Sequence, residues 1–341
     1  MLLEKLCNTD GVSGNEHKVR SLISQSIAEY ADSVTTDTMG NLIAFKKGLK
    51  STKKIMLCAH MDEVGFIITG FTDKGYLKFN TVGGIDTRVI ISKRVRTDGG
   101  ISGVIGIKAI HLQEPSERES VPKISSLFID IGAASKEEAM KYVKLGEYAA
   151  FDTAYSDFGS TRIKAKAIDD RVGCYILTEA IKKQCEFDTY FVFNVQEEVG
   201  LRGSKISAYR INPDLCLVLE GTTCADVYKT EPYQQVTKCG GGGALSVMDR
   251  ASVSNRELTA ALYRYAKENN IAVQFKKTTA GGNDAGSIYI SRGGVKTAAL
   301  SVPCRYLHSP VGVASKLDIR ACTDLASAFC ENIGGIMQWN Y

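Results

Sequence analysis

An imidazole and a carboxylate stand one residue apart at the end of an apolar run, Ile55-Met56-Leu57-Cys58-Ala59-His60-Met61-Asp62-Glu63. The run has strand composition and follows the charged turn Lys53-Lys54, so period-2 geometry turns His60 and Asp62 to one side. A carboxylate placed this way can steer the ring of a metal-holding histidine from behind. Taken alone, the two are equally a hydrogen-bonded structural pair. Further clusters change that balance. Ala167-Ile168-Asp169-Asp170-Arg171 leads into a segment with Val172, Ile176, Leu177 and Ile181 on one helical face. Adjacent aspartates there serve either as ligands or as N-cap and dipole complement. Tyr190–Val195 is a long apolar strand followed by Glu197-Glu198 and a turn at Gly200. On a pleated backbone, consecutive carboxylates face opposite ways and suit two different tasks. Leu215–Leu219 delivers Glu220, and Thr297–Pro303 is followed after a short turn by His308.

Two imidazoles with several carboxylates suit zinc, or cobalt or manganese where oxygen donors outnumber nitrogen. The donors exceed the needs of one ion. That points to a two-metal site with a bridging carboxylate, a water activated between the ions, and one carboxylate left free as general base. No cysteine is required as a ligand.

Four β-type runs thus carry His60, Glu197/Glu198, Glu220 and His308 to their C-terminal ends, the edge at which open α/β sheets keep their sites. The chain has four histidines, and two of them fall at such ends. A first helix is predicted from Ser13, where Ser13-Gly14-Asn15-Glu16 has capping-box form and Val19, Leu22, Ile23, Ile27 and Tyr30 follow at helical spacing. His17 on that helix and His111 within Ile107–Gln113 read as structural or surface histidines. From Ile67 to Asp157 short β-type runs alternate with glycine turns, the texture of a small β-barrel or sandwich inserted into an α/β domain. The last helix shows Leu317, Ala321, Leu325, Ala328 and Phe329 as its inner stripe. Gly240–Gly243 lacks the Gly-Lys-Ser/Thr ending of a phosphate cradle and reads as a flexible or close-packed loop.

A chain of 341 residues with 44% hydrophobic content can bury a large core and exceeds the usual single-domain size. No run of eighteen apolar residues exists to form a membrane span, and the N-terminus lacks the apolar core of a signal peptide. A net charge of +4 without a basic block gives no nucleic-acid or membrane surface. Ten cysteines without C-x-x-C spacing read as buried free thiols in a reducing cytoplasm.

Several of these stretches resemble a known family. Ala59–Gly65, Lys166–Gly173, Val195–Gly203, Gly281–Gly286 and Ser301–Ser309 are similar, in order, to the dinuclear zinc aminopeptidases of the glutamyl-aminopeptidase and tetrahedral (TET) aminopeptidase type, some of which carry a glucanase label. The Gln-Glu-Glu-Val-Gly-Leu-Arg-Gly string at 196–203 is the most specific of them. The resemblance implies that His60 and Glu220 hold one metal, that Glu198 and His308 hold the other, and that Asp169 bridges them. It further implies Asp62 behind His60, Glu197 as general base, and a non-proline cis bond between Asp169 and Asp170 that aims the bridge. Asp284 would belong to the pocket without binding metal, and Asp226 rivals Glu220 as a ligand.

The fold class so implied is α/β. A mixed-sheet zinc-exopeptidase (phosphorylase/hydrolase-like) catalytic domain spans 1–66 and 158–341, and an inserted β-barrel dimerisation domain spans 67–157. The implied activity is removal of N-terminal residues from short peptides with a free N-terminus, using two divalent ions. The implied partners are further copies of the chain, from dimer to tetrahedral dodecamer. Two rival readings remain. A metal-independent glycosidase would cast Glu197 and Asp62 as its carboxylate pair, but it has no use for His60 and His308, and the single tryptophan, Trp339, gives it no aromatic platform. A non-catalytic scaffold of the same fold is the other, and no expected role has lost its residue type.

Overall fold

The computed structural model describes residues 1–339. An 11-stranded mixed sheet forms the main layer. Its centre is four parallel neighbours: Phe187–Asn194, Lys50–His60, Leu215–Thr223 and Lys296–Arg305. Antiparallel strands Leu42–Lys46 and Ser33–Thr36 extend one side. Gly312–Ser315, Arg162–Ala165 and Ser156–Phe158 extend the other.

The central strands read as nearly continuous apolar runs because both of their faces are covered. Alternation sorts their residues between two cores. Ile55, Leu57, Ala59, Phe191, Phe193, Leu215, Leu217 and Leu219 pack with Val19 and Ile23 of one helix, and with Val172, Leu325 and Phe329. Met56, Cys58, Val192, Cys216 and Val218 face Ala208, Ile211 and Ile288 on the opposite side. This two-sided burial holds the central strand ends, and therefore the residues after them, in one row.

A closed six-stranded barrel interrupts the sheet after Lys50–His60. Its strands follow one another around the barrel as Gly65–Phe71, Leu77–Val82, Leu127–Asp130, Ser102–Ile107, Arg94–Thr97 and Tyr148–Phe151. It has its own core, in which Phe66 meets Phe79 and Phe151 edge-on at 5.2 and 5.1 Å. Barrel pairing begins at Gly65, ahead of the limit of 67 read from sequence texture, and ends at Phe151, short of the limit of 157, and Ser156–Phe158 already belongs to the large sheet.

Three local expectations change. A helix at Leu2–Asn8 precedes the expected first one, burying Leu3, Leu6 and Cys7. The next helix runs His17–Ile27, and Ser13 does not cap it, because the serine is used elsewhere. In the last helix, Lys316–Ile336, Leu317 is 62% exposed while Asp318 is buried. Asp318 accepts the backbone N–H groups of Gly240 and Gly242 at 2.6 and 2.7 Å, so the glycine run is closed around an internal carboxylate. No helix among the described residues is long and apolar enough to cross a membrane.

Candidate metal centre

Four strand ends and one helix start converge on a single cluster. His60 is the last residue of its strand, Glu220 lies in the neighbouring parallel strand, and Asp169 opens the helix Ile168–Ala180. His60 Nε2 lies 3.5 Å from Asp169 Oδ1, 3.5 Å from Glu220 Oε2 and 3.9 Å from Glu197 Oε2. His308 Nε2 lies 3.4 Å from Asp169 Oδ2 and 3.2 Å from Glu198 Oε1. Asp169 thus presents one oxygen to each imidazole.

The other nitrogen of each ring is already engaged. His60 Nδ1 is 3.1 Å from the Asp62 carbonyl and 3.3 Å from Asp62 Oδ1. His308 Nδ1 is 2.9 Å from the Gly84 carbonyl, which the barrel segment supplies. Donation from Nδ1 leaves each Nε2 lone pair facing carboxylates, the tautomer that metal-binding histidines use. A lone pair and a carboxylate oxygen cannot bond to each other without a cation between them.

Asp62 is fully buried, and its two oxygens organise the surrounding chain. Oδ1 accepts from Glu197 N at 3.0 Å, and Oδ2 accepts from Ser13 Oγ at 2.6 Å and Glu198 N at 3.1 Å. Glu16 Oε1 accepts from Gly14 N and Gln196 N, supporting the same turn. Ser13 and Glu16, read from sequence as a helix cap, therefore brace the cluster. Glu197 and Glu198 stand in a turn beyond the strand, which ends at Asn194, and not on a pleated backbone. Their separation comes from that turn, with Gln196 at φ 57, rather than from strand alternation. The occupied, dry Asp62 carboxylate also cannot act as the acid or nucleophile that the glycosidase reading requires.

Asp169 and Asp170 are joined by a cis peptide bond. Asp170 is buried beside the cluster, accepting from His60 N and Gly173 N, and one of its oxygens lies within 4.8 Å of donor atoms of both His60 and Glu220. A Cβ at position 173 would stand 2.4 Å from Asp170 Oδ2, and one at 221 would stand 2.9 Å from Asp169 Oδ1. Both glycines clear space for acids. Asp226 lies outside the cluster, paired with Arg305 at 2.7 and 2.8 Å, so Glu220 is the acid the fold brings in. Asp284 is buried and accepts from Asn194 Nδ2 at 2.8 Å. His17 and His111 are exposed, away from the cluster.

A buried ionic group, invisible in the sequence pattern, locks these parts together. Glu63 receives Lys166 Nζ at 2.7 Å, Arg171 Nη2 at 3.0 Å and Gly11 N at 3.0 Å. Arg171 also donates to the Met61 carbonyl at 2.9 Å, between His60 and Asp62. Lys166 reaches Asp10, which in turn holds Arg96 of the barrel.

The electrostatics show an excess of negative charge. Burial pushes Glu220 up to about 8 and raises Glu197 and Glu198, with neighbouring carboxylates adding to the rise. Burial disfavours a charged His60, but Glu220, Asp169 and Asp62 overcome it and hold the ring well above its usual range. Burial likewise opposes charge on His308, yet Asp169 and Glu198 bring it to about 11. For Asp169, burial is outweighed by the two imidazoles, and the carboxyl falls below the usual range. Asp169 Oδ1 and Glu220 Oε1 are buried without any hydrogen-bond partner, a costly condition unless a cation balances them. The donor set and these orphaned oxygens fit divalent metal, whose binding would replace the protons.

A cavity of about 220 Å³ opens beside the cluster, lined by His60, Asp169, Glu197, Glu220 and His308 on one side and by Lys276 and Gly281–Asn283 on the other. Lys276 was not singled out by any sequence signal; it stands in an ordinary Lys-Lys pair after a short strand.

The chain is similar to known proteins over nearly its whole length. A family model described as M42 glutamyl aminopeptidase matches residues 40–325. A protein of Acetivibrio thermocellus named as a candidate aminopeptidase is 43% identical over 96% of this chain and 98% of its own length. The crystal structure of a TET aminopeptidase from a marine sediment archaeon of the Thaumarchaeota superposes with a TM-score of 0.94 at 34% identity, covering 99% of this chain and 97% of that one. A TET peptidase of Pyrococcus horikoshii, described as able to assemble into a tetrahedron or a large octahedral shell, has a TM-score of 0.87 at 35% identity, covering 97% and 98%.

Proposed function

The chain belongs to the M42 glutamyl aminopeptidase family, and on that premise we propose that it removes N-terminal residues from short peptides at a two-metal centre. The reading is carried by Asp169, which offers one oxygen to each of two imidazoles that have separate glutamate neighbours. His60, Glu220 and Asp169 would hold one divalent ion. His308, Glu198 and Asp169 would hold the other. Zinc suits this set best, with cobalt and manganese as alternatives. Divalent ions supply Lewis acidity there, making water nucleophilic near neutral pH and polarising a carbonyl.

Glu197 is the general base in this reading. It is the acid of the cluster that the two ligand groups leave over, and burial with its acidic neighbours raises its basicity. It takes a proton from the attacking water and returns it to the departing amine. Asp62 orients His60 through Nδ1 and holds the backbone of Glu197 and Glu198. The acidic lining favours a substrate that brings a cationic α-ammonium group. Self-association through the barrel, from dimer to tetrahedral dodecamer, completes the proposal. Ten buried free thiols suit a reducing, cytoplasmic setting.

Elemental analysis joined to mutagenesis tests the chemistry. Metal-loaded protein should hold two ions per chain, lose activity in EDTA, and leave acetylated peptides uncut. Glu197→Gln should lower turnover about 10²–10⁴-fold while keeping both ions, whereas Glu198→Gln should lose one. Wild-type turnover in Glu197→Gln, or one ion or none in the loaded protein, would sink the mechanism.

A further inference from the structure

One of the ten cysteines differs from the rest. Cys239 keeps 8% of its surface, where no other exceeds 1%. Its neighbour is Cys224. The Cys224 carbonyl accepts from Val236 N and Thr237 N, each at 3.1 Å, and Thr237 Oγ1 donates to the Thr223 carbonyl at 2.9 Å. Cys239 N donates at 3.1 Å to Asp226 Oδ2, a carboxylate held by Arg305. These bonds lay the two feet of the loop 224–239 side by side. The thiols at its ends share a hydrogen bond, Cys224 donating to Cys239. That bond is the first cause drawing the Cys239 thiol down, to about 7, and Arg162 and Arg305 add to it against burial and Asp318. Arg162 Nε has no hydrogen-bond partner of its own.

A partly exposed sulfur with cations beside it and a second thiol in contact is the arrangement that reacts with oxidants. The other close pairs lack it. Cys58 Sγ lies 3.9 Å from Cys216 Sγ between central strands, and burial pushes the Cys58 thiol well above its usual value. Cys185 and Cys330 also meet, with no more than 1% of surface left to either. The loop bears on the metal cluster as well. Thr222, Thr223 and Val236, at its feet, line the cavity beside His60 and Glu197.

We propose that Cys224 and Cys239 are a dithiol that a hydroperoxide oxidises to a disulfide, and that this bond clamps the loop forming one wall of the cavity. The Cys239 sulfur attacks one peroxide oxygen. An S–O bond forms, the O–O bond breaks, and the departing alkoxide takes the proton given up by Cys239. An alcohol, or water from hydrogen peroxide, leaves behind a sulfenic acid. Cys224 then attacks that sulfur. The S–S bond forms, the S–O bond breaks, and the hydroxyl leaves as water with the Cys224 proton. The two sulfurs together give up two electrons, and the peroxide accepts them. In a reducing compartment small thiols reopen the bond, so it is transient.

Metal-loaded full-length protein is titrated with hydrogen peroxide, denatured and alkylated. Wild type should stop at the loss of two of its ten thiols, peptide mapping should recover Cys224 joined to Cys239, and dithiothreitol should restore all ten. Cys224→Ser and Cys224→Ala should instead hold a sulfenic acid at Cys239 that dimedone traps, and Cys239→Ser should lose the fast reaction. Trypsin cleavage after the exposed Lys229 should slow on oxidation of wild type and not of Cys224→Ser. The effect on activity alone rests on the aminopeptidase reading: with a leucine anilide, oxidised wild type should show a raised KM that dithiothreitol reverses. A disulfide joining Cys58 to Cys216 or Cys185 to Cys330, or thiols lost without pairing, overturns the assignment. Unchanged trypsin cleavage and KM in fully cross-linked protein overturn the clamp.

Discussion

Replacing Asp62 by Asn changes one atom and should unsettle the second metal more than the first. The two Asp62 oxygens serve four donors: His60 Nδ1 at 3.3 Å and Glu197 N at 3.0 Å on one, Ser13 Oγ at 2.6 Å and Glu198 N at 3.1 Å on the other. An amide must put its NH₂ against one of these pairs. Placed toward His60 and Glu197, it confronts two donors that cannot change role. Placed toward Ser13 and Glu198, it confronts a hydroxyl that can rotate to accept and a single N–H that cannot. The second arrangement is the better one. It leaves Glu198 N–H buried and unpaired, at a cost of about 1–3 kcal/mol. Loss of a group that orients a ligand lowers metal affinity about 10–100-fold, or about 1.4–2.7 kcal/mol. The reduction should therefore fall on the ion near Glu198 and His308. Competition titrations with a zinc chelator would resolve the two affinities, and thermal melts of the metal-free proteins would give the stability term. Unchanged affinity at both positions, or a loss confined to the ion near His60, would refute this account of what Asp62 does.

Two other outcomes are expected. Burial would raise the Asp10 carboxyl, but Arg96 and Lys166 outweigh it and hold it below the usual range; a lowered folded-state value contributes stability above the unfolded value that is lost as pH falls through the folded one. The destabilisation caused by Asp10→Asn, read from urea midpoints, should thus be largest at neutral pH and shrink below about pH 4, and an equal loss at both would count against the pairing. If the barrel joins subunits, light scattering on the intact protein should give a particle much larger than a dimer, and a clean monomer at micromolar concentration would remove that assembly.

The strand ends were legible because two signals coincide at each: an apolar run of strand composition, and an ionisable residue where the run stops. His60, Glu220 and His308 announce themselves this way. The barrel was legible as a change of texture, since short alternating strands and glycine turns differ from the long two-sided strands around them. The bracing was not legible. Ser13 and Glu16 match a capping box, and only the fold brings Asp62 and the 196–198 turn within reach of them. Glu63 lies more than a hundred residues from Lys166 and Arg171 along the chain yet shares one buried ionic group with them. Leu317 follows helical spacing into the core stripe but sits in the first turn, where Asp318 turns inward instead to close the glycine loop. Lys276 carries no pattern at all. Periodicity reveals which face an element buries, and says nothing about partners that are distant in sequence.

The contact between His308 and the Gly84 carbonyl has a thermodynamic consequence. One imidazole of the centre takes its orientation from the inserted barrel rather than from the sheet. A displacement of the barrel by an ångström would therefore be felt at Nε2, and an ion that fixes Nε2 would restrain the barrel in return. Linkage of this kind is reciprocal. Whatever binds the outer surface of the barrel changes the affinity for the ion near His308 by the same factor that the ion changes the affinity of that surface for its partner. Subunits joined through the barrel would then load metal more tightly than separated ones, and stripping metal would loosen the particle. A chelator and a dilution series, applied to one sample, would report on a single shared equilibrium.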